Sequence, residues 1–165
     1  PKMKKALWIS AAICLLSLVG MVLSLTLTGG GGEVGEFVPP PFEEAAESGT
    51  PTVEDESYTQ IFRDGMSFSA HVTGKVVLTD DTADLWFTND SGNDVWLKLR
   101  ILDGEGKILA ETGILKPGEY VKSVRFTTLP KDGAAIRLKI MAYEAETYYS
   151  AGAVTLRTTA TVKNS

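Results

Sequence analysis

The chain changes character twice along its length. Residues 6–29, ALWISAAICLLSLVGMVLSLTLTG, hold no charged side chain. From about Ser57 the apolar positions fall instead at every second residue. In VWLKLRI, Val95, Leu97, Leu99 and Ile101 share one parity, and Lys98 and Arg100 the other. AIRLKIMA repeats this with Ile136, Leu138 and Ile140 against Arg137 and Lys139, and AVTLRTTATV with Val154, Leu156 and Thr158. Alternation of this kind marks half-buried antiparallel strands. Further strands are predicted at 66–73, 75–78, 84–88, 108–111 and 121–127. TDDTAD, NDSGND, DGEGK, KPGEY and LPKDG supply turn chemistry between strands. Gly74 marks a bulge or kink between two strand segments. Seven or eight short strands at this spacing predict an all-β fold, an immunoglobulin-like antiparallel β-sandwich over 57–165.

The uncharged run is long enough to cross a bilayer, which needs about 20 residues. It exceeds the roughly 7–15 apolar residues of a signal peptide, so a cleavable leader is the weaker reading. Cys14, the only cysteine, follows Ile13 and has no small residue before it as a lipobox requires. Charge gives the orientation. Lys2, Lys4 and Lys5 precede the run, and eight acids with no base occupy 33–56. The positive-inside rule then places 1–5 in the cytoplasm and the β-domain outside, at the plasma membrane. The expected plan is a basic flank (1–5), one N-terminal transmembrane α-helix acting as signal anchor (6–29), a flexible Gly/Pro/Glu linker (30–56) and an extracytoplasmic domain (57–165). The linker composition offers little to pack and does not offset its own ordering entropy. Phe37 and Phe42 depart from that polar pattern and can dock on the domain or on a partner.

The domain itself is neutral, with thirteen acids and thirteen bases over 57–165. It has no basic stripe for nucleic acid. His71, the only histidine, sits in the strand run FSAHVTG and reads as a satisfied or surface strand residue. No nucleophile-elbow, zincin or C-x-x-C motif occurs. The Asp80, Asp81, Asp84 and the Asn89, Asp90, Asn93, Asp94 clusters lack the calcium-loop spacing and read as turns. No catalytic, cofactor-binding or metal residue is assigned, no cofactor is expected, and the chain reads as a non-enzyme.

Aromatic residues are the candidate contact groups. If residue 87 pairs with 95 in a hairpin, Trp86 lies across from Trp96 on the outer face, next to Lys98. Two such rings in water call for cover by Phe37, Phe42 or a loop, or for a partner. In YEAETYYSAG, Tyr148 and Tyr149 are adjacent at one end of the fold, and one is expected to plug that end. Trp86, Trp96, Lys98, Tyr148 and Tyr149 are therefore the possible partner-binding residues.

Three blocks, PPPFEEAAESGTP, VWLKLRILDGEGKILAETGILKPGEYVKSV and IRLKIMAYEAETYYSAGAVTL, resemble a group of small single-pass membrane proteins of gut Firmicutes associated with integrative conjugative elements. The resemblance spans the linker and nearly all of the outer domain and carries over no functional residues. It implies a Gram-positive envelope and a part in conjugation or surface contact. The function expected is a membrane-anchored binding or scaffold module, its partner another envelope or conjugation protein, or wall glycan. The alternative is a self-associating filament subunit with the apolar helix in the fibre core, although that helix lacks the acidic residue of type IV pilins near its start.

Overall fold

The computed structural model describes residues 37–62 and 65–163, which are strands and loops without a helix. The expected membrane helix at 6–29 and the first part of the linker lie outside the described residues. The chain divides into two units after Val38, and the β-domain begins at Pro39.

Ten strands follow in order: β1 (Glu47–Ser48), β2 (Tyr58–Ile61), β3 (Ala70–Thr73), β4 (Val76–Thr79), β5 (Thr82–Asn89), β6 (Val95–Leu102), β7 (Ile108–Glu111), β8 (Glu119–Arg125), β9 (Ala135–Glu144) and β10 (Ser150–Lys163). They form one curled sheet in the order β1-β8-β5-β4-β10-β9-β6-β7, with β3 also on β5 and β2 on β3. The curl comes from β10, which serves both halves. Its first part runs antiparallel to β9, from Ser150 to Thr159. Its last four residues run parallel to β4, Ala160 beside Val76. Isolated bridges Leu97–Leu115 and Ala110–Phe126 bring the far end of the sheet back toward β8.

The alternating positions do what alternation demands. Leu97, Leu99, Ile101, Leu138 and Ile140 from the β6–β9 half join Val72, Leu78, Leu85 and Phe87 from the other half in one core. All nine are fully buried. At roughly 1.5–3 kcal/mol for each such side chain, this burial is the main term opposing chain entropy. Gly74 falls where predicted, in the break between β3 and β4. The parallel β4–β10 end was not legible, because a period of two carries no strand direction.

Two expectations are corrected. The hairpin pairing of 87 with 95 does not form. β5 pairs with β3, β4 and β8, while β6 pairs with β9 and β7. The turn between them crosses from one half of the sheet to the other. Asn89 holds that crossing, its buried amide donating to Val95 O at 3.0 Å and to Leu115 O at 2.9 Å. The second correction concerns the boundary at 57. Residues 41–49 are bound to the domain, through Phe42 beside Ile114 and through β1 on β8, Glu47 beside Tyr120. Composition registers side chains, whereas this segment is held largely by backbone hydrogen bonds, which every non-proline residue can make.

Candidate functional site

Trp96 lies at the start of β6, level with Tyr143 on β9. It is half-buried between two rings from opposite ends of the chain. Phe42 meets it edge-on with centroids 4.9 Å apart, and Tyr148 does so at 5.2 Å. Both distances suit edge-to-face aromatic attraction. The Lys116 ammonium stands 4.6 Å from the centre of the Phe42 ring, within cation–π range.

The loop that delivers Tyr148 is tightly wound. Glu146 and Tyr148 both have positive φ, 66° and 59°, a conformation costing L-residues about 1–2 kcal/mol each. Backbone bonds Glu144 N to Tyr149 O at 2.8 Å and Tyr148 N to Glu144 O at 3.1 Å hold it. Thr147 adds a hydroxyl bond to the Glu144 carboxylate at 3.2 Å. The result separates the adjacent tyrosines. Tyr148 is half-buried against Trp96, and Tyr149 is 70% exposed.

The segment carrying Phe42 is seated by backbone geometry. Ile114 N donates to Pro41 O and Glu43 N to Ile114 O, both at 2.9 Å. Gly113 N donates to the Glu43 carboxylate at 2.6 Å. A Cβ on Gly113 would stand 2.6 Å from Phe42 C and overlap Glu43 as well, so only glycine lets the two backbones approach this closely. Further along, Gly49 N reaches Gly118 O at 2.8 Å and Tyr120 OH donates to Glu47 Oε2 at 2.7 Å. That bond, with the Glu47 charge, raises the Tyr120 hydroxyl pKa.

Trp86 is elsewhere. A bulge between Asp84 and Phe87 breaks the β5–β8 register, and Trp86 takes φ 50° within it. Its ring stacks near Tyr120 at 6.1 Å, with the Lys122 ammonium 5.2 Å from its centre. Lys122 also reaches Asp84 at 3.6 Å. Lys98, expected on the outer surface beside the tryptophans, is buried. Its ammonium is paired with Glu111 Oε1 at 3.0 Å, and Arg100 holds the other oxygen at 2.9 Å. Burial pushes the Glu111 pKa up, but the bonds and charges of Lys98 and Arg100 outweigh it and hold it below the ordinary value. Of the five candidate residues, Trp96 and Tyr148 are thus in contact, Tyr149 is their exposed neighbour, and Trp86 and Lys98 belong to other surroundings.

A cleft of about 680 Å³ opens beside β3 and the turn after β5, lined by Tyr58, Ser69, His71, Thr88 and Asp90 among others. Asp90 is its hub. It accepts from Ser69 Oγ at 2.5 Å and Gln60 Nε2 at 3.2 Å, and pairs with His71 Nδ1 at 2.7 Å. Burial raises its pKa, yet the bonds from Ser69, His71 and Gln60, with the His71 charge, bring it below the usual carboxylate value. His71 stacks on Tyr58 at 5.3 Å, so it is a bonded strand histidine. The Ser69 hydroxyl goes to the carboxylate, whereas activation of a serine nucleophile needs it on the imidazole. Among the described residues no three His, Cys, Asp or Glu side chains gather to hold a metal ion.

Sequence reasoning missed Asn89, Asp90, Lys116 and Gly113. The first two stood in the NDSGND run read as a turn. The glycine before an apolar pair in TGIL was the one visible sign of a close backbone approach. No protein-family profile matches the sequence, and no curated protein is similar to it.

Proposed function

We propose that the chain is a membrane-anchored, extracytoplasmic binding or scaffold module of a cell envelope. Its β-domain is read as an immunoglobulin-like sandwich that offers an aromatic surface to a protein partner. The observation that carries the binding reading is the Trp96–Tyr148 pair, delivered by a loop with two left-handed residues. Strained backbone of this kind persists only where the surrounding structure holds it, and it clusters at functional sites. Tryptophan and tyrosine are also the residues most enriched at binding hot spots. Tyr149 and Lys116 extend the same surface with an exposed ring and a cation.

The sandwich reading is supported by strand order. β8, β5 and the broken β3–β4 strand would form one sheet, and β10, β9, β6 and β7 the other. The anchor reading is supported by the uncharged run at 6–29 and the charge asymmetry around it. The link to conjugation rests on the resemblance of the three sequence blocks.

Two measurements test this reading. The full-length chain in its native membrane should resist carbonate extraction, and protease added to protoplasts should remove the β-domain. A soluble form beginning near Gly29 would sink the anchor. Partner crosslinking from native membranes should fall sharply in a Trp96→Ser, Tyr149→Ser chain that keeps a cooperative melt. Undiminished crosslinking of the same partner would remove this surface from the proposal.

A further inference from the structure

The groove beside Gly113, Ile114 and β8 is already occupied, and its occupant shows what it recognises. Residues 41–49 lie along it as a strap that bridges Ile114 at Phe42, turns at Glu44–Ala45 and pairs again at Glu47–Ser48. Pro41 O and Glu43 N pair with both backbone groups of Ile114. The Glu43 carboxylate takes Gly113 N, the Phe42 ring rests between Trp96 and Lys116, and Glu47–Ser48 add two residues to the edge of β8. This is strand addition with a pocket for one aromatic side chain, a mode proteins use to bind extended peptides.

The strap is bound, but lightly. Ala46 packs against the core and Pro51 is buried, but Phe42 is 38% exposed and Glu44, Ala45, Glu47, Ser48 and Gly49 are exposed. Segments with few buried apolar contacts open at a fraction of the global unfolding free energy. The chain that joins it to β2 is also loosely placed. Thr52, Glu54, Asp55 and Glu56 are exposed and in no strand, with only the Asp55 turn bonds to Ser57 and Tyr58.

We propose that this groove docks the strap of a second copy of the chain, so that neighbouring molecules exchange residues 39–51 about a hinge at 52–56. The segment of known fit to the groove is this one, and a second copy supplies it with every contact intact. Exchange of identical elements replaces each intrachain bond by the same bond between chains, which makes it a low-cost route to dimers. The competing term is the intrachain strap, whose effective concentration is on the order of millimolar for a short tether. Exchange is therefore expected when chains are packed at about that concentration. This interface goes beyond the binding surface proposed above and does not depend on the membrane anchor.

Register supplies the test. Glu47 and Tyr120 are direct cross-strand partners, and such pairs stand about 4.5–5.5 Å apart at Cα, within disulfide range. Full chains carrying Cys14→Ser with Glu47→Cys are mixed with full chains carrying Cys14→Ser with Tyr120→Cys, at about 1 mM in mild detergent, and then oxidised. A chain with both substitutions reports intrachain closure. The proposal expects a disulfide-linked heterodimer whose yield rises with concentration. It also expects that yield to fall several-fold when Gly113→Ala is added to the Tyr120→Cys chain. Closure within the double variant and no heterodimer on mixing would overturn exchange. A heterodimer unaffected by Gly113→Ala would be collision and would overturn it too. Failure of the double variant to close would remove the strap itself.

Discussion

Trp86 and Trp96 sit in near-identical local sequence, DLWF and DVWL, and end in different surroundings. Trp96 occupies a regular strand position and is covered by a ring from the strap and a ring from the β9–β10 loop. Trp86 sits on a bulge with a left-handed backbone, beside Tyr120 and Lys122 on the β5–β8 half. Alternation gave both residues the same outward parity. What differs is the strand each one meets, and that is decided by the crossing at Asn89 rather than by either tryptophan.

The largest effect is therefore expected at that crossing. Asn89→Ala removes both amide donors from Val95 O and Leu115 O in a buried site. Leu115 O keeps its bond from Leu97 N at 3.0 Å, but Val95 O loses this donor and the Asn93 amide loses Asn89 Oδ1. Unsatisfied buried groups cost about 1–3 kcal/mol each, so chemical denaturation should show a loss of roughly 2–4 kcal/mol. A loss below about 0.5 kcal/mol, the usual range of surface changes, would mean the crossing is held by something else.

The two rings should then part company. Trp96→Ala should cost about 2 kcal/mol, less than the roughly 3–5 of a fully buried ring. Trp86→Gly loses a ring contact but relieves the positive φ, worth about 1 kcal/mol, and should leave stability within about 1 kcal/mol of the parent. Equal losses at the two sites would erase the distinction drawn between them.

Gly113→Ala should act on one tryptophan only. With the Phe42–Glu43 backbone displaced, acrylamide should quench Trp96 more readily, while Trp86 and the melting midpoint change little. This is read in single-tryptophan variants of the full chain, with the other two tryptophans changed to Phe. Unchanged Trp96 quenching would show that the strap tolerates a Cβ at 113.

The smallest effect is on pH dependence. Asp90 and Glu111 have pKa values lowered in the folded state. Each then contributes stability that is present above the unfolded value, about 4, and lost as pH falls through the lower folded value. Stability should drop below about pH 4, and Asp90→Asn should flatten that drop. An identical pH profile in the variant would mean that Asp90 does not titrate as described.

The core was legible in the sequence because burial imposes its own period: Val95, Leu97, Leu99 and Ile101 fall inside as their spacing requires. The kink at Gly74 and the extent of β7 were legible for similar local reasons. Strand partners were not, since period two is the same whichever strand lies alongside. Lys98 shows the limit in a single residue. Its parity is outward, yet Glu111 on β7 pairs with its ammonium and the residue is buried. Only the tertiary pairing of β6 with β7 supplies that partner. The strap was hidden for a different reason, since its carbonyls and amides leave no mark in composition. Of the proposed surface, Trp96, Tyr148 and Tyr149 were visible as aromatics, whereas Phe42 was visible as an exception whose destination was open.

The most direct test of the contrast between the two tryptophans is the pattern of nuclear Overhauser effects from the two indoles in the full chain. The structure predicts cross-peaks from Trp96 to the rings of Phe42 and Tyr148, cross-peaks from Trp86 to Tyr120, and none between Trp86 and Trp96. A Trp86–Trp96 cross-peak together with a silent Phe42 would restore the β5–β6 hairpin, detach the strap and contradict this account.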